Sequence, residues 1–130
     1  MAPFFLDIER VLQVHRSLIE HYGGTEGIRD AGLLHSAICM PQASFGGGYL
    51  HTDLFEMAAA YLYHIVQNHP FVDGNKRTGA AAAIIFLAMN GIDVKADEEG
   101  LVDITLGIAS GEVGKKEAAA YLRSIQERRF

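Results

Sequence analysis

Cysteine is almost absent from this sequence, which has a single one, Cys39, among its 130 residues. One cysteine cannot form an internal disulfide, and it is typical of a protein kept in a reducing compartment such as the cytosol. No cysteine cluster exists, and the five-residue spacing of His64 and His69 does not match a zinc-binding motif. We therefore expect neither a disulfide nor a zinc site, and we predict that Cys39 is packed in the core.

Positive charge and long apolar runs are also scarce. Eleven Lys and Arg stand against sixteen Asp and Glu, which gives a net charge of -5 at pH 7. Nucleic acid and anionic surfaces attract concentrated positive charge, so we expect no nucleic-acid partner. The apolar run between Thr78 and Asn90 is shorter than the ~20 residues that a membrane helix requires. The opening residues MAPFFLDIER lack a basic segment before an apolar one, so we expect a cytoplasmic protein without a membrane span or signal peptide.

Sustained alternation of apolar and polar residues is missing too, and helical spacing replaces it. A chain of this length forms one core, so we predict that 1–130 is a single all-α domain, a compact bundle of about six helices. The run from Thr78 to Asn90 has no polar face, which predicts that this helix lies at the centre of the core. The predicted helices run from Leu6 or Asp7 to Tyr22, from Asp30 to just before Pro41, from Asp53 to Asn68, from Gly74 or Asn75 to Asn90, from Asp97 to Ser110 and from Lys115 to Arg128.

A polar loop separates the third and fourth predicted helices and reads HPFVDGNKR from His69 to Arg77. The residue before a proline is driven out of the α region, so His69 ends one helix and Pro70 fixes where its imidazole points. The next helix opens at Gly74 or Asn75, and its free N–H groups and dipole favour an anion there. A base, a carboxylate and an anion site side by side indicate phosphoryl or nucleotidyl transfer.

The same residues carry a resemblance to a known family. HPFVDGNKRT resembles the signature of the Fic/Doc family, whose Fic branch reads HPFx(D/E)GNGRxxR. Lys76 in place of the second glycine, and Ala80 in place of the second arginine, resemble the Doc (death-on-curing) branch. FLDIERVLQVH and YGGTEGIRDAGLLHSAI fit that branch as well, so the resemblance covers nearly the whole chain. A motif of this length with matching flanks is far more specific than a lone glycine pattern.

The resemblance implies the Fic/Doc fold and assigns roles within the loop. His69 would be the general base that takes the proton of a target hydroxyl, a task that suits imidazole because it titrates near neutral pH. Asp73 would hold Mg²⁺, for which one carboxylate is enough because this ion keeps several waters. Arg77 would clamp phosphate with its planar fork and belongs with His69 among the catalytic residues. From the residues alone, His69 and Asp73 could instead cap helices.

The nucleotide site implied by the resemblance comprises Gly74, Asn75, Lys76 and Arg77, with ATP as co-substrate. Lysine at position 76 is expected to turn the nucleotide so that its γ-phosphate faces the hydroxyl, and Ala80 removes a cation that AMP transfer would use. Read by itself, Lys76 could equally be a solvated surface lysine. Phe71 is expected to anchor the loop in the core, and His15 and His64 are expected to be structural.

The resemblance therefore implies a toxin of a toxin–antitoxin pair. It would be a Mg²⁺- and ATP-dependent protein kinase that phosphorylates a Thr or Ser hydroxyl of a host translation factor, with elongation factor Tu as the expected target. The alternatives are an AMP-transferase on the same scaffold and a non-catalytic module that binds a partner helix.

Two further expectations concern binding partners. Self-inhibited Fic proteins carry an (S/T)xxxE(G/N) motif, which this sequence lacks, so we expect inhibition by a separate Phd-like antitoxin whose helix lies in an apolar groove. The glycine-rich segment from Ser44 to Tyr49 reads as a flexible connector without regular structure. The resemblance makes it a flap that helps to position the target, and a short hairpin there could pair with an extended target strand.

Overall fold

The computed structural model describes residues 2–95 and 97–127, and its architecture is helical. A short 3-10 turn, Met40–Gln42, and a two-stranded hairpin interrupt the helices between the second and the third. The prediction of an all-α bundle of about six helices is confirmed for the described part of the chain. The elements are α1 (Ile8–Tyr22), α2 (Ala31–Cys39), β1 (Ser44–Phe45), β2 (Gly48–Tyr49), α3 (Leu54–Asn68), α4 (Asn75–Met89), α5 (Glu98–Ser110) and α6 (Lys115–Ser124).

Aspartate caps explain why most helices begin where the sequence predicts. Each capping carboxylate accepts a hydrogen bond from the backbone N–H three residues later, which satisfies one of the free donors of the first turn. Thr52 is not a cap, because its hydroxyl donates instead to Glu56 Oε2 at 2.6 Å. Helix α6 ends at Ser124 rather than at the predicted Arg128, which lies outside the described residues. The four capping aspartates are Asp7, Asp30, Asp53 and Asp97.

Helix α3, rather than α4, occupies the centre of the bundle. It packs against α2, α4, α5 and α6, and every side chain from Met57 to Leu62 is buried. The Tyr61 hydroxyl accepts a hydrogen bond from Leu6 N at 2.8 Å and donates to Leu6 O at 3.1 Å, which fixes the segment before α1. The prediction that α4 has no exposed face was wrong, because Ile84 and Ile85 are only half-buried. An apolar stripe on a helix can line a groove as well as a core.

The glycine-rich segment forms a short hairpin, the form in which a flap could pair with a target strand, and not the irregular connector that its glycines predict. Strands β1 and β2 pair antiparallel, and the turn between them uses Gly46 and Gly47, both at positive φ. The Tyr49 ring lies 5.7 Å from that of Phe5, which in turn stacks on Phe86 near the C-terminal end of α4. The hairpin therefore lies beside the end of α4 that is remote from the HPFVDGNKR loop.

Helix α6 is joined to the bundle by a lysine between two histidines. Lys115 Nζ lies 3.2 Å from His51 Nε2 and 3.1 Å from His64 Nε2, and the ammonium can donate to both rings. Burial, with the charge of Lys115 next, lowers the pKa of His64 to about 4, and the same two causes lower the pKa of His51. The cluster agrees with a structural role for His64.

The composition also predicts the state of Cys39 and the absence of a membrane span. The prediction of a packed thiol was wrong, because Cys39 is exposed on α2 with its sulfur 3.5 Å from His35 Nε2. No helix within residues 2–95 and 97–127 is long and apolar enough to span a bilayer.

Candidate active site

The HPFVDGNKR loop, hereafter the motif loop (His69–Arg77), lies between α3 and the N-terminus of α4 beside a large cavity. The cavity has a volume of about 780 Å³. All six residues that the sequence singles out for chemistry line it, so the fold brings the predicted site together. They are His69, Asp73, Gly74, Asn75, Lys76 and Arg77.

His69 adopts an unusual backbone conformation at the end of α3. Its φ of 49° and ψ of 54° place it in the left-handed region, and it is the only non-glycine residue with positive φ in the part of the chain that is described. Pro70 follows directly and disfavours the right-handed α region at His69, although a residue before proline usually becomes extended rather than left-handed. The side chain is exposed towards the cavity, where a hydroxyl could approach the imidazole. The arrangement has the features of a general base held at a helix end.

Asp73 presents an ionised carboxylate to the same cavity. Oδ2 accepts a hydrogen bond from Thr25 N at 3.1 Å and Oδ1 accepts one from Gly74 N at 2.9 Å. These two bonds, the Thr25 bond first, lower the pKa of the carboxyl group, and the charge of Arg77 adds to the effect. Each oxygen keeps a free lone pair, so the carboxylate can hold a cation while it braces the loop.

Gly74 lets the chain turn sharply into α4. Its φ of 79° favours glycine, and an added Cβ would lie 3.2 Å from Ile19 Cδ1 and 3.5 Å from His15 Cδ2. Gly74 is the N-cap and no side chain caps the helix, so Asp73 does not act as the side-chain cap of α4. The backbone N–H groups of Asn75, Lys76 and Arg77 make no hydrogen bond within the described residues. These free N–H groups make the N-terminus of α4 electropositive where it borders the cavity.

Asn75 braces the loop with its side chain instead of pointing into the cavity. Its Oδ1 accepts from Phe71 N and its Nδ2 donates to Phe71 O, both at 2.9 Å, and the residue is buried. A phosphate contact by Asn75 would therefore come from its backbone N–H. Phe71 is fully buried, as expected for an anchor.

His15 of α1 supports the loop from below, and the structure shows which contacts make it structural. Its ring stacks on that of Phe71 at 3.8 Å with an interplanar angle of 6°, and Nε2 donates to Asp73 O at 2.8 Å. Its position on the apolar face of α1 is the signal in the sequence, and these contacts agree with the predicted structural role. The loop between α1 and α2 adds Thr25 and Arg29, for which the sequence offered no signal.

The two cations of the loop are exposed, as a phosphate site requires. The Arg77 guanidinium lies 4.3 Å from the centre of the Tyr22 ring at the end of α1, a cation–π contact that holds it at the cavity. Lys76 lines the cavity, and so does Ala80, which carries no charge. The cavity thus has two side-chain cations at its polar end.

Away from the motif loop the cavity becomes an apolar groove between α1, α4 and α5. Val102 and Leu106 on α5 are 54% and 50% exposed, although both are aliphatic. The groove and the polar site are continuous, so an occupant of one lies beside the other. The polar residues Glu98 and Thr105 of α5 also line the cavity. The apolar residues that form this groove are Leu18, Ala81, Ile84, Ile85, Leu101, Val102 and Leu106.

The donor set fits a magnesium–nucleotide complex better than a protein-built metal cage. No group of three or more His, Cys, Asp or Glu that could hold a metal occurs in residues 2–95 and 97–127. Mg²⁺ commonly binds one or two carboxylates together with substrate phosphates, and Asp73 beside Lys76 and Arg77 suits that arrangement. Chemically the site can take a proton at His69 and offset phosphate charge a short distance away.

Comparison with known proteins agrees with the motif and with the fold. The chain is 38% identical to "Protein kinase doc" of Escherichia phage P1 over 117 residues, which are 90% of this chain and 91% of that protein. It is 46% identical to "Toxin Doc" of Mycolicibacterium smegmatis over 76 residues, 58% of each chain. The sequence model of the Fic/DOC family matches residues 5–87, which include the whole motif loop. The chain therefore belongs to the Fic/DOC family.

Proposed function

We propose that this protein is a Doc-type toxin of a toxin–antitoxin pair that acts in the cytoplasm as a Mg²⁺- and ATP-dependent protein kinase. Its substrate is a Thr or Ser hydroxyl of a host translation factor, with elongation factor Tu as the expected target, and the modification blocks translation. The observation that carries the proposal is the convergence of His69, Asp73, Lys76 and Arg77 on one cavity at the N-terminus of α4. The names of the two relatives, a protein kinase and a toxin, support it.

In this proposal each residue of the site has a distinct role in a phosphoryl transfer. His69 accepts the proton of the target hydroxyl, whose oxygen forms a bond to the γ-phosphorus while the bond to the β-phosphate oxygen breaks and ADP leaves. Arg77 and the backbone N–H groups at the start of α4 bind phosphate oxygens. Asp73 holds Mg²⁺, which when bound supplies positive charge against the phosphates.

Two residues favour γ-phosphate transfer over AMP transfer. Lys76 lines the cavity and adds a cation beside the helix end. Ala80 also lines the cavity, at the position where the Fic signature has a second arginine, so the cation expected for AMP transfer is missing there. Both features are consistent with a nucleotide whose γ-phosphate points towards His69.

Transfer from ATP labelled at the γ- or the α-phosphate tests the reaction directly. We expect label from γ-labelled ATP on the target in the presence of Mg²⁺, and none from α-labelled ATP. His69→Ala should reduce the rate by about 10²–10⁴-fold, as for loss of a general base. His35→Ala, which removes an exposed histidine of α2 outside the cavity, is the matched control. Label from α-labelled ATP alone would identify an AMP-transferase, and no label from either would support a binding module.

The proposed antitoxin occupies the apolar groove beside the site. An amphipathic helix fits because the groove offers an aliphatic floor on α4 and an exposed aliphatic wall, Val102 and Leu106, on α5. Expression without antitoxin should stop bacterial growth, and His69→Ala should restore it. Leu106→Glu should keep the kinase active but weaken rescue by a co-expressed antitoxin, because it places a charge in the apolar contact. Normal growth with soluble intact protein would contradict the toxin proposal.

A further inference from the structure

Arg29, in the loop between α1 and α2, reaches across to the C-terminal end of α3. Its Nε donates to His69 O at 2.6 Å and its Nη2 donates to Asn68 O at 2.9 Å. The two carbonyls are among those that a helix leaves without partners at its C-terminus. A guanidinium is suited to the task because it offers parallel donors and a positive charge at the negative end of the helix.

The contact matters because His69 lies in a backbone conformation that it does not adopt readily. A non-glycine residue in the left-handed region persists only where surrounding contacts hold it. On the C-terminal side of His69, backbone hydrogen bonds that could hold this conformation are limited, because Pro70 has no N–H. The fork of Arg29 binds the carbonyl of His69 itself and that of its neighbour, so it fixes the peptide plane next to the residue whose imidazole faces the cavity.

We propose that Arg29 is a positioning residue, one that orients His69 for proton transfer without touching substrate. The inference rests on the proposed function, in which His69 is the general base. The effect is separable from docking of the loops, because the backbone N–H groups of Arg29 and Asp30 both donate to Pro70 O and Val72 N donates to Gly27 O. Those bonds do not depend on the side chain at position 29 and remain when it is shortened.

The kinetic test compares Arg29→Met with Arg29→Lys and with Arg16→Met, which removes an exposed arginine of α1. We expect Arg29→Met to lower kcat about 10- to 100-fold, the scale of a small misplacement of a reacting group. The KM for ATP should stay within about twofold, because Asp73 and Arg77 are untouched and bind the nucleotide in both proteins. Arg29→Lys should recover part of kcat, because an ammonium can still donate to the carbonyls. Arg16→Met should match the parent.

An NMR measurement in the absence of nucleotide gives a readout that does not depend on activity. The Cα and Cβ chemical shifts of His69 report its left-handed conformation, and we expect them to move towards averaged values in Arg29→Met and to return in Arg29→Lys. Unchanged kcat in an active parent background, or a loss confined to KM, would overturn the proposal. Absence of transfer in the parent itself would count against the proposed function, and unchanged His69 shifts in Arg29→Met would then overturn the positioning role by themselves.

Discussion

Replacing Asn75 with alanine should open the motif loop at a cost that the structure allows us to estimate. The change removes two hydrogen bonds of 2.9 Å, one to Phe71 N and one to Phe71 O, from a residue that is only 5% exposed. Phe71 is fully buried, so its N–H and C=O would lose their partners away from bulk water. A buried unsatisfied group costs about 1–3 kcal/mol, so the two groups of Phe71 should together lower the free energy of unfolding of Asn75→Ala by about 2–6 kcal/mol. That is a large part of the total of about 5–15 kcal/mol for a typical domain.

Urea unfolding measures this loss, and two variants serve as controls. Asn68→Ala removes one half-buried bond, from Nδ2 to Leu33 O at 3.0 Å, and should cost about 0.5–1.5 kcal/mol. Asn75→Asp keeps an acceptor for Phe71 N but turns a second oxygen towards Phe71 O, so it should not rescue stability. A cost for Asn75→Ala no greater than for Asn68→Ala, or a fully stable Asn75→Asp, would refute the reasoning. In Asn75→Ala, hydrogen exchange at the Phe71 amide should be faster even under conditions in which global unfolding is not.

Three further predictions test the metal site, the reaction type and the acid limit of the fold. Gly24→Ala should raise the Mg²⁺ concentration needed for half-maximal transfer, because its Cβ would lie 2.6 Å from Asp73 Oδ2. Gly23→Ala is the control, because Gly23 also has a positive φ but nothing lies within 4 Å of its added Cβ. Lys76→Gly should weaken transfer of γ-labelled phosphate, and an unchanged rate would show that the lysine does not direct the reaction. Burial lowers the pKa of His64 from 6.5 to about 4, so the unfolded state binds the extra proton between these values. Stability should be full above pH 6.5 and fall towards pH 4 by roughly 1–2 kcal/mol after allowance for solvent screening. Urea titrations should find a smaller slope in His64→Gln, with the remainder due to His51, whose pKa is lowered by the same two causes.

Helix positions and the motif were predictable because their determinants are local. An aspartate that accepts from the N–H three residues later marks the start of a helix whatever the rest of the fold. The cap at Asp53 could be predicted in this way. The motif loop could be read for the same reason, since proline and glycine at fixed positions decide where one helix stops and the next begins. Gly74 at positive φ follows from that order, whereas the left-handed conformation of His69 does not, because a residue before proline usually becomes extended.

Exposure could not be predicted, because it depends on which neighbours cover a surface. Cys39 and Ile84 are both apolar in character, yet the first is exposed and the second lines a groove. The place of the hairpin could not be predicted either, and Tyr49 packs on Phe5 beside the C-terminal end of α4. Its expected part in positioning a target stays a prediction. No residue from 44 to 49 lines the cavity of the candidate site.

The support of the motif loop escaped prediction for a different reason, which is that much of it comes from main-chain groups. Pro70 O accepts from the backbone N–H groups of Arg29 and Asp30, and Val72 N donates to Gly27 O. Almost any residue can make such bonds, so they leave no pattern in the sequence. The support depends on particular side chains at few positions. Among them, His15 stacks below the loop and Arg29 binds the C-terminal end of α3. It follows that substitutions in the loop between α1 and α2 should be tolerated except at two kinds of position. One is the three glycines with positive φ, Gly23, Gly24 and Gly27, and the other is Arg29, whose guanidinium supports His69.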